Sequence, residues 1–272
     1  MVKFAFKFLI SKNIFVAFAT LSLYLITDIL YHINDPLIGG FVFFSTLFAY
    51  NYMRFPLFFS KTTFCKIGLV HCVVILFSGL ISCFLMFFLG LKFILLIIPI
   101  ILISVLYPLS IDVNKKAYSI RSIPFLKLFL ISFVWAYVTV FLPLIYNSVE
   151  INIYVLSVFV QRVLFVIAIA IPFDIRDINV DRIKTLPNTL GTRASKFFAC
   201  ACLLLVELLL IINVIASFMD THHFIAIFLS ILLSAIIISL THKNNSYFFY
   251  GIFVEGLSII MCLFVIISNW IY

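Results

Sequence analysis

Apolar runs long enough to cross a membrane follow one another along almost the whole chain, with polar residues confined to short interruptions. No soluble core accommodates that much continuous apolar surface. The runs fall near residues 13–31, 38–59, 67–89, 93–110, 125–146, 151–173, 197–219, 223–240 and 247–268. Each holds about 18 to 23 residues, which at 1.5 Å per residue crosses a hydrocarbon core of about 30 Å. Main-chain amides find no water there, so the runs must be helices. The expected fold is therefore all-α: a polytopic bundle of nine transmembrane helices. Neither a linker nor a low-complexity stretch divides it, so one domain is expected over 1–272.

The formal net charge of +8 would fit a nucleic-acid partner, but the placement of the basic residues has a simpler explanation. Sixteen of the 18 lysines and arginines fall on one side of the nine spans, leaving Lys92 on the other side and Arg162 within a span. The positive-inside rule makes the basic side cytoplasmic, so the N-terminus is expected inside and the C-terminus outside. A multi-pass protein of the bacterial inner membrane is the expected setting, with membrane lipid and no nucleic acid as partner. Ala17-Phe18-Ala19 imitates a cleavage site, yet apolarity continues past it and Lys7 and Lys12 interrupt the run before it, so the first helix is expected to remain uncleaved. The six cysteines lack metal-ligand spacing and read as reduced packing residues.

Charge is scarce enough that its clustering is informative. Three of the ten carboxylates, Asp174, Asp177 and Asp181, occupy eight residues at the end of the sixth span. Spaced i, i+3 and i+7, they would fall within roughly 60° of one helix face. Hard oxygen ligands on one stripe suit Mg²⁺, which completes its shell with water and substrate phosphate. Equally, the three could pair with Arg176, Arg182 and Lys184 as a solvated acidic turn. Within the spans, Arg162, Glu207 and Glu255 lie at similar depth, which favours mutual pairing with Gln161 nearby; an acceptor-binding or proton-transfer role is the alternative. Asp28 reads as structural or solvated, and His71 as isolated.

These features resemble the UbiA superfamily of intramembrane prenyltransferases. The string from Asp174 to Gly191, DIRDINVDRIKTLPNTLG, resembles that family's second aspartate-rich motif, with Lys184, Thr185 and Gly191 matching downstream. Tyr107-Pro108 followed by Lys115, Lys116, Arg121, Pro124 and Lys127 resembles its Tyr-Pro plus basic loop. The first aspartate-rich motif is degenerate. Asn51 is kept, while Tyr52, Phe55 and Phe59 stand at the carboxylate positions.

The resemblance implies Mg²⁺-assisted transfer of an isoprenyl group from a polyprenyl diphosphate to a lipophilic acceptor. It assigns Asp174, Asp177 and Asp181 to the metal, and Asn51, Tyr107, Lys116, Arg121, Lys127 and Lys184 to the diphosphate. A protein that binds lipid or diphosphate without turnover is the alternative. A transporter fits less well, because the ionisable residues gather at one face and no matched pair of broken helices is visible.

Arg54 lies three residues after Asn51, about 60° around the helix, so both can face one cavity. Its guanidinium would supply charge that the missing carboxylates no longer hold in place as metal. A helix-end arginine reaching for the interface is the other reading. Charge-assisted bonds contribute about 1.5–3 kcal/mol. Arg54→Gln should accordingly weaken prenyl diphosphate binding at least tenfold, as read by equilibrium binding to the intact bundle.

Overall fold

The computed structural model describes residues 8–54, 69–106, 110–113, 116–119, 125–179, 185–246 and 248–271, with the main chain alone at 54, 110–113 and 116–119. The helices are α1 (Ile14–Tyr31), α2 (Pro36–Arg54), α3 (Leu69–Leu106), α4 (Leu126–Tyr146), α5 (Ile153–Arg176), α6 (Leu186–Leu190), α7 (Thr192–Ile215), α8 (Thr221–Ser239) and α9 (Phe249–Ile271). Strands β1 (Ser110–Val113) and β2 (Lys116–Ser119) pair as a short antiparallel hairpin within the expected basic loop. The rest of the described structure is helix, turn or connection.

Local sequence sets where these helices begin. Asp35 Oδ1 accepts from the amides of Leu37 and Ile38, and Pro36 opens α2 with a φ already suited to a helix. Asn152 caps α5 by accepting from the Val155 amide at 3.0 Å.

Among the described residues seven helices are long and apolar enough to cross a membrane. The two departures from nine have physical causes. Two expected spans are joined in α3, which breaks at Gly90 with φ 79° and ψ −176°. The other expected span is α2, 19 residues long, whose last turns carry Tyr50, Asn51 and Tyr52 and dilute its apolarity.

Gly90 reverses the chain. Before it, Gly79 lies against Phe48 and Gly40 against Leu85; after it, Phe93 meets Phe41 edge-on at 4.9 Å. Both halves of α3 therefore run along α2 in opposite directions. The helices succeed one another around a ring: α1 on α2, α2 on α3, α3 on α4, α4 on α5, α5 on α7, α7 on α8, α8 on α9, and α9 back on α1.

One buried cluster centres on α5, with Val166, Ile171 and Ile175 against Leu203 and Leu210 of α7 and Leu257 of α9. A second joins Tyr24, Ile38, Phe41, Phe93 and Leu142. Outward faces stay apolar, Phe87 being 80% exposed, as a lipid-facing surface requires. At Gly251 a Cβ would sit 2.5 Å from Ile10 Cδ1, so a side chain there would displace the Ile10 side chain.

Gly90 occupies a backbone region open essentially to glycine alone, and nothing lies within 4 Å of where a Cβ would stand. Gly90→Ala should therefore cost about 1–3 kcal/mol through the main chain only. Thermal unfolding in detergent measures this, with the exposed Leu91→Ala as control expected within about 0.5 kcal/mol of the parent.

Candidate functional site

The end of α5 positions the acidic residues, but not as one continuous helical stripe. The helix stops at Arg176, Asp177 is its C-cap at φ −91° and ψ 8°, and a turn follows. Three carboxylates on the last turn would oppose the negative end of the helix dipole, whereas Arg176 complements it. The expected i, i+3, i+7 face is thereby corrected: Asp174 is helical and Asp177 caps.

Each of these two carboxylates meets a cation. Asp174, 2% exposed, accepts from Lys127 Nζ of α4 at 2.7 Å. Asp177 takes a two-pronged pair from its neighbour, Arg176 Nε and Nη2 each lying 2.7 Å from a carboxylate oxygen. Arg176 lies against two adjacent aromatic rings, 5.2 Å from the Phe173 ring centroid and 5.5 Å from that of Tyr250. The Tyr250 hydroxyl donates to the His242 carbonyl at 2.7 Å, fixing the ring. Tyr250 belongs to a π-helical turn, Phe249–Val254, a local widening often found at functional sites.

Asn51 is fully buried and makes three hydrogen bonds. Its Nδ2 donates to the carbonyls of Lys12 and Leu47, and its Oδ1 accepts from Asn13. It thus ties the end of α2 to the turn before α1. Lys12 Nζ in turn lies 2.9 Å from His71 Nδ1, so His71 is not the isolated residue the sequence suggested. Arg54 ends α2, and Lys116 opens β2. Tyr107, Arg121, Asp181 and Lys184 lie outside the described residues.

Beside these residues a cavity of about 430 Å³ opens between α2, the second half of α3 and α4. Its walls are almost entirely apolar, and they run from Tyr52 and Met53 down to Phe41, about 18 Å along α2. Leu130 and Ile131, three and four residues after Lys127, line it, so the Lys127–Asp174 pair stands one helical turn from its wall. Trp135 Nε1 donates to the Tyr50 hydroxyl at 3.2 Å across that end. Sequence reasoning missed this cavity: phenylalanine and isoleucine look alike whether they face a cavity or lipid. Trp135, one of two tryptophans, was the signal that could have marked it.

The mid-membrane cluster also differs from expectation. Arg162 donates to the Leu23 carbonyl and to Thr27 Oγ1, both on α1, and among the described residues makes no ion pair with Glu207 or Glu255. Equal depth did not bring the groups together, because Arg162 points across the ring to α1. Asp28 accepts from the Tyr24 hydroxyl at 3.1 Å, as a structural residue.

The donor chemistry at the Asp174 end suits Mg²⁺: Asp174 and Asp177 offer hard oxygens three residues apart, with Lys127 and Arg176 as displaceable partners. Removing the lysine takes a cation from a carboxylate that is almost wholly buried. Lys127→Met should destabilise the protein by about 3 kcal/mol, and Lys127→Met with Asp174→Leu should recover most of that loss in a double-mutant thermal unfolding cycle.

No protein-family model matches the sequence, and no curated protein does. Two solved structures share the architecture. The apo structure of a UbiA homolog from Aeropyrum pernix K1 aligns with a TM-score of 0.66 at 16% identity, covering 93% of this chain and 98% of that one. A digeranylgeranylglyceryl phosphate synthase aligns with a TM-score of 0.55 at 19% identity, covering 100% of this chain and 98% of that one. The chain has the fold of these UbiA-type proteins, and it is an integral, multi-pass membrane protein.

Proposed function

Taking the shared UbiA fold as premise, we propose that this protein is a membrane prenyltransferase. It would move an isoprenyl group from a polyprenyl diphosphate to a lipophilic acceptor, with its diphosphate site facing the cytoplasm. The observation that carries the reading is the placement of buried Asp174, Asp177 and their two cations beside the mouth of a long apolar cavity. A molecule with a charged head and a hydrocarbon tail matches that division.

In this reading the tail lies between α2, α3 and α4, and the head rests at the α5 terminus. Asp174, Asp177 and Asp181 would hold Mg²⁺, and Lys127 and Arg176 would then turn from their carboxylates to phosphate oxygens. Bound there, Mg²⁺ supplies charge neutralisation for the leaving diphosphate. The allylic C–O bond breaks with its electron pair going to the diphosphate. The acceptor then forms the new bond to the allylic carbon and loses a proton. Arg54, Lys116, Arg121 and Lys184 add fixed positive charge where the leaving group develops its own negative charge, and Tyr107 donates a hydrogen bond. The apolar walls keep water from the allylic cation.

One observation favours the second reading, binding without turnover. Asn51 has its amide committed to Lys12, Leu47 and Asn13, and Tyr52 faces the cavity where the resemblance would have a carboxylate.

A single experiment separates the two. Purified protein is incubated with Mg²⁺, labelled prenyl diphosphates and a membrane lipid extract. Prenyl transfer requires a labelled lipid product with stoichiometric pyrophosphate, lost in Asp177→Asn. Saturable binding without pyrophosphate release would establish the binder, and neither outcome would sink both readings.

A further inference from the structure

The opposite end of the bundle carries a second constellation of ligating side chains. Asp220, His222 and His223 lie where the turn after α7 enters α8, and one ligating atom of each falls within 4.8 Å of the others. The site is remote from the acidic end. Phe218, two residues before Asp220, stacks on Tyr154 at 5.6 Å, and Asp174 lies twenty residues further along α5, about 30 Å away.

Neither Asp220 nor His223 is used as its position would ordinarily dictate. Asp220 is the N-cap of α8, yet its side chain accepts no hydrogen bond from the first-turn amides, the usual service of an aspartate there. His223 is 5% exposed. Its Nδ1 lies 3.8 Å from Asp220 Oδ2, beyond hydrogen-bond reach, and its Nε2 is buried without a hydrogen-bond partner. Asn269 of α9 stands beside the ring and interacts with it without completing hydrogen-bond geometry at Nε2. A buried imidazole nitrogen without a hydrogen-bond partner is uncommon in a folded protein. The His222 ring sits 4.0 Å from it, centroid to centroid, which two protonated imidazoles would resist.

We propose that Asp220, His222 and His223 bind a divalent transition metal of the zinc class. Two imidazoles and one carboxylate are the donor set that Zn²⁺ takes, at about 2.0–2.2 Å, and an ion with such bonds holds its ligands roughly 3.4 Å apart. The 3.8 Å gap between His223 and Asp220 is too wide for a direct bond but within a small side-chain rotation of that spacing. Mg²⁺ is a poor match, because it prefers an all-oxygen shell. Three protein ligands leave a fourth position for water.

The ion would fix the 216–220 turn to the first turn of α8. It would also neutralise the exposed Asp220 and give the buried His223 the partner it lacks. Asn269 is placed to support the ring from α9, as the outer neighbours of metal-bound histidines do.

The test uses the full-length protein in detergent, with any affinity tag removed and the metal stripped by chelator. Zn²⁺ is titrated calorimetrically, Co²⁺ is followed by its visible absorption, and Mg²⁺ serves as control. The expected result is one Zn²⁺ per chain, a raised thermal unfolding temperature, and no response to Mg²⁺ at this site. Asp220→Asn and His222→Ala, both at accessible positions, should each weaken Zn²⁺ at least tenfold, whereas Asp174→Asn with Asp177→Asn should leave it unchanged. Absence of one-to-one binding in the parent protein would overturn the proposal. So would an affinity within threefold of the parent in Asp220→Asn with His222→Ala, since the metal would then sit elsewhere.

Discussion

The constraint on which this architecture rests is that main-chain polar groups in hydrocarbon must be satisfied by the protein itself. Regular helix meets it automatically, so the departures from regularity are the informative places. Gly90 interrupts α3, and a tyrosine hydroxyl meets the freed main chain: Tyr146 donates to the Leu89 carbonyl at 2.9 Å. Lys92 returns the contact by donating to the Tyr146 carbonyl at 2.6 Å. Pro99 removes the donor that the Leu95 carbonyl would have used, and the Tyr137 hydroxyl donates to the adjacent Leu96 carbonyl at 2.8 Å. Both tyrosines come from α4, so the helix that walls the cavity also repairs the broken helix opposite. That repair lets α3 fold back and leave space between its second half and α4.

Charge obeys the same rule with larger penalties. Arg162 sits in the bundle interior with a carbonyl and a hydroxyl for partners, both from α1, which makes it a strut between α5 and α1. Asp174 is equally buried but faces Lys127, a residue whose stem crosses apolar surface to reach it. The two cases differ in what they allow. Arg162 is held by groups that cannot leave, whereas Lys127 and Arg176 are held by carboxylates that a cation can take over. Pairing between two side chains at the Asp174 end thus contrasts with pairing to main chain and hydroxyl deeper in.

How much of this was legible in sequence follows from the range of each interaction. The helical spans could be read because hydrophobicity is a local property of about twenty residues. The Asp174 cluster was visible for the same reason, being eight residues long. Its geometry was not. Spacing alone cannot reveal that α5 ends at Arg176, nor that Lys127, 47 residues away, occupies Asp174. Depth counting placed Arg162, Glu207 and Glu255 at one level but says nothing about azimuth, and azimuth sent Arg162 to α1. The cavity was hidden by composition, since 34 phenylalanines suit a lipid-facing surface and a cavity wall equally. Asp220, His222 and His223 are contiguous enough to read in sequence, but their shared ligating distance depends on how the turn enters α8.

Asn51 shows how a residue that resembles a ligand in the sequence can serve the scaffold instead. Beside an aspartate-rich motif, an asparagine at this place would be read as a ligand. Here it is buried, and its three bonds join the last turn of α2 to Lys12 and Asn13. Asn13 itself lies in the left-handed region at φ 58°, a conformation asparagine tolerates better than most residues. The amide pair thus fixes how the chain enters α1 and sets the spacing of α1 and α2 at the mouth of the cavity. Tyr52 and Phe48 stack on the same helix end, their ring centroids 5.8 Å apart. Loss of acidic residues at this helix end therefore need not open the bundle. Aromatic packing and the Asn51 bonds close this end of α2 on their own, without a cation between carboxylates.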